Sequence, residues 1–169
     1  TSGGQIYPYS ITNDVRDFPL TITKVSSNPS LTNGNSSYSL AGTTYVISTS
    51  ANFATTEGTF VMNASGTTST TVNVKANTTY YIKETVKGTG YKLDTTVYKV
   101  VISANGTATI STYSGSGVGT VTQGNPIKVN LKDPPETTDI SLTKSSSNTT
   151  VTSGNSCYNL QGTTYKLYT

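Results

Sequence analysis

The chain has 169 residues, a formal net charge of +3, 11% charged residues, 33% hydrophobic residues, one Cys, no His and no Trp. That inventory excludes His-based zinc sites, Ser–His–Asp triads, Cys–His pairs and any internal disulfide. Lys and Arg are scattered and no apolar run nears the roughly 20 residues of a membrane span, which argues against nucleic acid as a partner and against a membrane span in this segment.

The predicted elements follow from short alternating runs rich in Tyr, Val, Ile and Thr. Residues 5–13 read as a strand, followed by the linker DVRDFP. Leu20–Val25 is a second strand. Ser26–Ser37 carries Pro29 and the pair Asn33-Gly34, so it reads as a loop. Tyr38–Thr49 holds a glycine kink and then a strand. Thr59–Met62 and Thr70–Val74 flank a turn. Thr78–Thr96 reads as strand, turn and strand, with a turn at Lys87–Gly90. Val97–Ser103 and Thr107–Thr112 flank Asn105-Gly106, the strongest short-range hairpin signal available. A Gly/Ser-rich loop at Ser114–Gly124 precedes a last strand, Ile127–Leu131, and Pro134-Pro135 ends it. No useful amphipathic helix is expected. About eight strands at regular spacing predict an all-β antiparallel sandwich.

The thirty residues from Leu20 recur from Ile140 without gaps, at an offset of 120, with 16 of 30 positions identical. The same offset places Asn13 on Asp133. Residues 1–13 are therefore expected to be the last strand of a preceding repeat, 18–135 one complete domain, and 138–169 the first strands of the next, a window on a tandem array.

Three charged residues stand out against this frame. Leu20, Ile22 and Lys24 share a strand face. So do Tyr80, Ile82 and Glu84, and again Ile127, Val129, Leu131 and Asp133. Each alone reads as a solvated strand end. Three together in so charge-poor a domain suggest a shared buried site, where each charge needs a partner or must be neutralised.

The stretches TITKV, LAGTTYVI and YYIKETVKGTGYKL, with a last strand ending in Asp before Pro, stand out together. They resemble the Cna_B or SpaA-like domains of Gram-positive surface adhesins and pilins, whose last strand ends in Asp or Asn before Pro. The departure is Lys87–Thr89, where that family often has Ala-Pro. The resemblance implies an Ig-like or prealbumin-like sandwich closed by an intramolecular isopeptide bond. Lys24 would be the nucleophile, Asp133 the acceptor, with Asn130 as the alternative, and Glu84 the proton shuttle. By the same register Lys144 would serve the following repeat and Asn13 the preceding one. This is a single self-crosslinking turnover and not enzyme action on an external substrate, and it needs no cofactor and no metal.

The implied setting is the extracellular face of a cell, in a wall-attached or pilus-like fibre. Its partners would be adjacent repeats of the same polypeptide and other fibre subunits. The alternative is an adhesin module that contacts a host matrix protein or glycan through Ser26–Ser37 and Ser114–Gly124. Cys157 replaces Ser37 of the first repeat and reads as a surface substitution. Tyr38, Tyr45, Tyr91 and Tyr98 read as packing residues, and Glu57 with Asp94 has no spacing that argues for metal or glycosidase chemistry.

Overall fold

The computed structural model describes residues 15–167. The expected strand at 5–13, and Asn13 with it, lies outside the described residues. The chain divides into two units, one ending at Glu136 and one beginning at Thr137.

In the first unit, nine strands form two sheets. One sheet contains β1 (Asp17–Ser26), β4 (Val72–Lys75), β8 (Thr120–Thr122) and β9 (Ile127–Asp133), in the order β4-β1-β9-β8. The other contains β2 (Thr44–Ser48), β3 (Gly58–Val61), β5 (Thr78–Val86), β6 (Val97–Ile102) and β7 (Ala108–Ser114), in the order β3-β2-β5-β6-β7. The sandwich core lies between them. Leu20, Ile22, Tyr45, Ile47, Phe60, Ile82, Tyr98, Val100, Val129 and Leu131 are all buried there.

Alternation is what builds this core. Successive side chains on a strand point to opposite faces, so every second residue of β1, β5 and β9 is buried. The Asn105-Gly106 hairpin forms as predicted, with Gly106 at φ +86° and the Ser103 amide donating to the Thr107 carbonyl at 2.9 Å.

Three features depart from the expected elements. The segment Ser114–Gly124, expected as loop throughout, contains β8, which pairs antiparallel with β9 through Val121↔Val129. The segment Ser26–Ser37 holds a single helical turn, α1 (Pro29–Thr32), with proline at its start. The sandwich is antiparallel except for one pair: β1 and β9 run parallel, with Leu20↔Ile127, Ile22↔Val129, Lys24↔Leu131 and Ser26↔Asp133. That pair joins the first and last strands of the domain side by side, and local sequence carries no signal for it.

The second unit contains one helical turn, α2 (Thr149–Thr152). It repeats the local geometry of the first unit at the 120-residue offset. Gly154 and Gly162 have φ of +71° and +81°, against +75° and +81° at Gly34 and Gly42. The Cys157 amide donates to Asn155 Oδ1 at 3.0 Å, as the Ser37 amide does to Asn35 Oδ1. No strand is present over Ile140–Lys144. Ile140, Leu142, Leu160 and Leu167 are exposed, whereas Leu20, Ile22, Leu40 and Ile47 at the matching positions are buried.

Candidate functional site

The alternating faces of β1, β5 and β9 each run from apolar residues into one charged residue. Lys24 ends the buried face of β1, Asp133 that of β9 and Glu84 that of β5. Lys24 and Asp133 are 0% exposed and Glu84 is 5% exposed, so none of the three escapes to solvent.

The sandwich brings them together from both layers. Lys24 and Asp133 come from adjacent parallel strands of one sheet, and Glu84 reaches across from the other. Lys24 Nζ lies 2.6 Å from Asp133 Oδ1 and 3.1 Å from Glu84 Oε1. The contact with Asp133 is a short ion-pair approach. Neither Asp133 oxygen accepts a hydrogen bond among the described residues. The end of β9 is held by its backbone instead, the Ser27 amide donating to the Asp133 carbonyl at 2.7 Å. Opposite, the Lys24 amide donates to the Gly66 carbonyl at 2.7 Å. Gly66 has φ +71°, and a Cβ there would sit 1.9 Å from the Lys24 carbonyl oxygen, so only glycine fits this approach.

Two residues that sequence reasoning did not assign to the site complete it. Tyr45, on β2, is fully buried; its hydroxyl accepts a hydrogen bond from Lys24 Nζ, and its ring centroid lies 4.7 Å from that nitrogen. Alternation places Tyr45 inward, but nothing in the sequence says that it faces Lys24 from the opposite sheet. Asp94, between β5 and β6, donates its backbone N–H to Glu84 Oε2 at 2.5 Å. Its carboxylate accepts from the Tyr98 hydroxyl at 2.6 Å and from the Thr96 amide at 2.9 Å. Glu57, paired with Asp94 in the sequence reading, is elsewhere and accepts from the Thr49 hydroxyl.

Burial works against the charged form of both acids. Burial pushes Glu84 up to about 7, against the opposing pull of Lys24 and of the Asp94 N–H. Burial also raises Asp133, again opposed by Lys24. Tyr45 is raised by burial and by the negative charges of Glu84 and Asp133, so its hydroxyl stays protonated.

Asn130 lies on the other face of β9, where its Nδ2 donates to Thr122 Oγ1 at 3.0 Å. An Asn130→Ala substitution is therefore expected to leave any mass change of the folded chain as it is in the wild type, checked by intact-mass spectrometry. In the second unit, Lys144 Nζ lies 5.8 Å from the Tyr165 ring centroid, repeating the Lys24–Tyr45 pairing at the same offset. Cys157 is exposed and free. Among the described residues no cluster of potential metal ligands occurs, and no helix is long and apolar enough to cross a membrane.

Fold and site together define a prealbumin-like β-sandwich with a buried lysine set between two carboxyl groups. Residues 19–116 match the family model SpaA, prealbumin-like fold domain, and the chain belongs to that family. It is similar in structure to the pilus adhesin SpaC of Lactobacillus rhamnosus GG in its open conformation, with TM-score 0.53, 19% identity, and coverage of 75% of this chain and 15% of that one. A C-terminal fragment of the same adhesin, from an iodide-soaked crystal, matches with TM-score 0.51 and 19% identity over 73% of this chain and 47% of the fragment. The group B streptococcus pilus 2b backbone protein matches with TM-score 0.43 and 22% identity, over 72% of this chain and 42% of that one. The chain thus spans less than half the length of each of these structures. At such identities the likeness concerns the fold. No match is found among curated proteins.

Proposed function

We propose that residues 18–135 are a structural repeat of a cell-surface adhesin or pilus stalk, locked by an isopeptide bond between Lys24 and Asp133. Residues 1–13 and 138–169 then belong to the preceding and following repeats, with Asn13 and Lys144 as their bond-forming residues. The observation that carries the reading is the 2.6 Å approach of Lys24 Nζ to a carboxyl oxygen of Asp133 in a fully buried site, with Glu84 3.1 Å away. The similarity in fold to the pilus adhesin structures supports the cell-surface setting.

The chemistry follows from the arrangement. Two protons are shared among the amine and two acids. Moving one from Lys24 to Asp133 makes a neutral amine beside a neutral carboxylic acid while Glu84 remains protonated. The Nζ lone pair attacks Asp133 Cγ. Protonated Glu84 donates to the developing oxyanion, takes a proton from the attached nitrogen and passes it to the leaving hydroxyl, then recovers its own proton from the former oxyanion as the carbonyl re-forms. The C–N bond forms, the C–OH bond breaks and one water leaves. Folding supplies the positioning, which can be worth about 7–11 kcal/mol of the barrier.

The full chain, once folded, is expected to weigh about 18 Da less than its sequence mass, the loss of one water. An unshifted mass in the folded protein would sink the reading. In Asp133→Asn the loss should become about 17 Da, one ammonia in place of one water, which assigns the acceptor.

The rate of bond formation should depend on pH through Glu84. Its folded value of about 7 lies above the ordinary 4.5. Glu84 is therefore protonated and active below about 7, and the rate falls about tenfold per unit as pH rises beyond it. Timed acid quenches after refolding at a series of pH values, read by mass, check this.

A further inference from the structure

Glu84 is held by a partner with no part in the bond itself. The segment between β5 and β6 carries Asp94, whose amide meets Glu84 Oε2 at 2.5 Å. The same segment is strapped to the residues that follow β9. The Lys92 amide donates to the Pro134 carbonyl at 3.1 Å, the Glu136 amide to the Gly90 carbonyl at 2.7 Å, and Lys87 Nζ lies 2.5 Å from Glu136 Oε1. Acid and acceptor strand are thus indexed against one another through a single connection.

Asp94 fixes its own amide within that connection. Its two carboxylate oxygens take one hydrogen bond each, from the Tyr98 hydroxyl and the Thr96 amide. Tyr98 and Thr96 are buried, and Thr96 Oγ1 in turn accepts from the Gly117 amide at 2.8 Å. The peptide N–H of Asp94 therefore has one direction available, and Glu84 lies along it.

The consequence is chemical. An N–H can only donate, and the carbonyl oxygen of an acid accepts better than its hydroxyl oxygen. In the neutral acid the Asp94 N–H therefore favours Oε2 as the carbonyl oxygen and Oε1 as the protonated one. Oε1 also accepts from Lys24 Nζ at 3.1 Å, which a hydroxyl oxygen can do while donating its own proton elsewhere.

We propose that Asp94 is a positioning residue for isopeptide formation, its pinned backbone N–H holding Glu84 with the transferable proton on the oxygen that faces Lys24. The inference rests on the isopeptide reading above. It adds a residue that touches neither the nucleophile nor the acceptor.

The titratable groups that face Glu84 are Lys24 from β1, Tyr45 from β2 and Asp133 from β9, with Asp94 acting through its amide. An N–H donor favours the charged form of a carboxyl group, so losing the donor raises the pH at which that group ionises.

The test uses the full chain, isolated unreacted in denaturant, refolded at a series of pH values, quenched in acid and weighed. Asp94→Ala removes both pins, and bond formation should slow on the order of tenfold to a hundredfold, the cost seen when a partner that orients a metal ligand is lost. Its pH inflection should move above the wild-type position. Asp94→Asn keeps the pins, since its Oδ1 can accept from Thr96 and its Nδ2 can donate to the Tyr98 oxygen, so its rate and inflection should stay near wild type. Tyr98→Phe removes one pin while keeping the core ring, and should shift the inflection in the same direction by less; it carries the test if the alanine variant does not fold. A slowed Asp94→Ala with an unmoved inflection would mean loop packing alone and would overturn the proposal, as would a wild-type rate in that variant. A wild-type chain that loses no mass would instead overturn the isopeptide reading itself.

Discussion

A Lys24→Ala chain is expected to keep its full sequence mass and to melt roughly 20 °C below the wild type. Two effects add. The proposed bond closes a loop from residue 24 to residue 133, and a cross-link over a loop of about 100 residues stabilises by about 4.7 kcal/mol on chain-entropy grounds. At about 4 °C per kcal/mol, between the values for smaller and larger domains, that supplies most of the 20 °C. The second effect is local. Removing the amine leaves Asp133 and Glu84 buried without a cation, and both must then stay protonated. Lys24→Met separates the two effects, because it also loses the cross-link but refills the space with an unbranched apolar chain. It should recover part of the deficit and none of the mass loss. Calorimetry together with intact mass reads both. A Lys24→Ala protein that melts with the wild type would show that no covalent closure holds the domain.

The second large effect is expected from Glu84→Gln. The amide fills the same volume and its oxygen still accepts from the Asp94 N–H, so the fold should persist. What it lacks is a proton that can be given up and regained. General acid–base assistance of this kind contributes about 10²–10⁴-fold. Refolded Glu84→Gln should therefore remain unreacted over times in which the wild type completes the bond. Because the variant keeps packing and hydrogen bonding, a slow reaction with little change in early refolding would point to proton transfer. Reaction at the wild-type rate would remove Glu84 from the mechanism. Both experiments also bear on the proposed stalk role, since a covalent tie between β1 and β9, the first and last strands of the domain, would resist unzipping from either end.

Much of the site was legible because strand periodicity is a strong constraint. The faces of β1, β5 and β9 are specified by residues such as Ile22, Ile82 and Val129, and a period of two carries Lys24, Glu84 and Asp133 inward with them. The same parity argument set Asn130 on the opposite face, where it meets Thr122. The element β8 escaped notice because Thr120–Thr122 is short, flanked by glycines and carries a strand only through its pairing with β9. Tyr45 was legible as a buried residue but not as a neighbour of Lys24, since the two lie on facing sheets. Asp94 left no signal at all, because the group that meets Glu84 is its backbone amide, which every residue except proline carries.

Thr78–Thr96 and its counterparts on β1 and β9 therefore divide the result cleanly. By itself the sequence determined an all-β sandwich, the 120-residue recurrence, and three charged side chains directed at a core that could not leave them unpaired. These are local properties, set by side-chain polarity at a fixed period along the chain. The tertiary structure alone decided that β1 and β9 lie parallel and adjacent, that Lys24 meets Asp133 at 2.6 Å within one sheet, and that Glu84, Tyr45 and the Asp94 amide close the site from the other side. Those contacts join residues up to 109 positions apart, from 24 to 133. Parallel pairing of β1 with β9 and the stacking of the second sheet bring such residues to one point, and no local pattern in the chain encodes either.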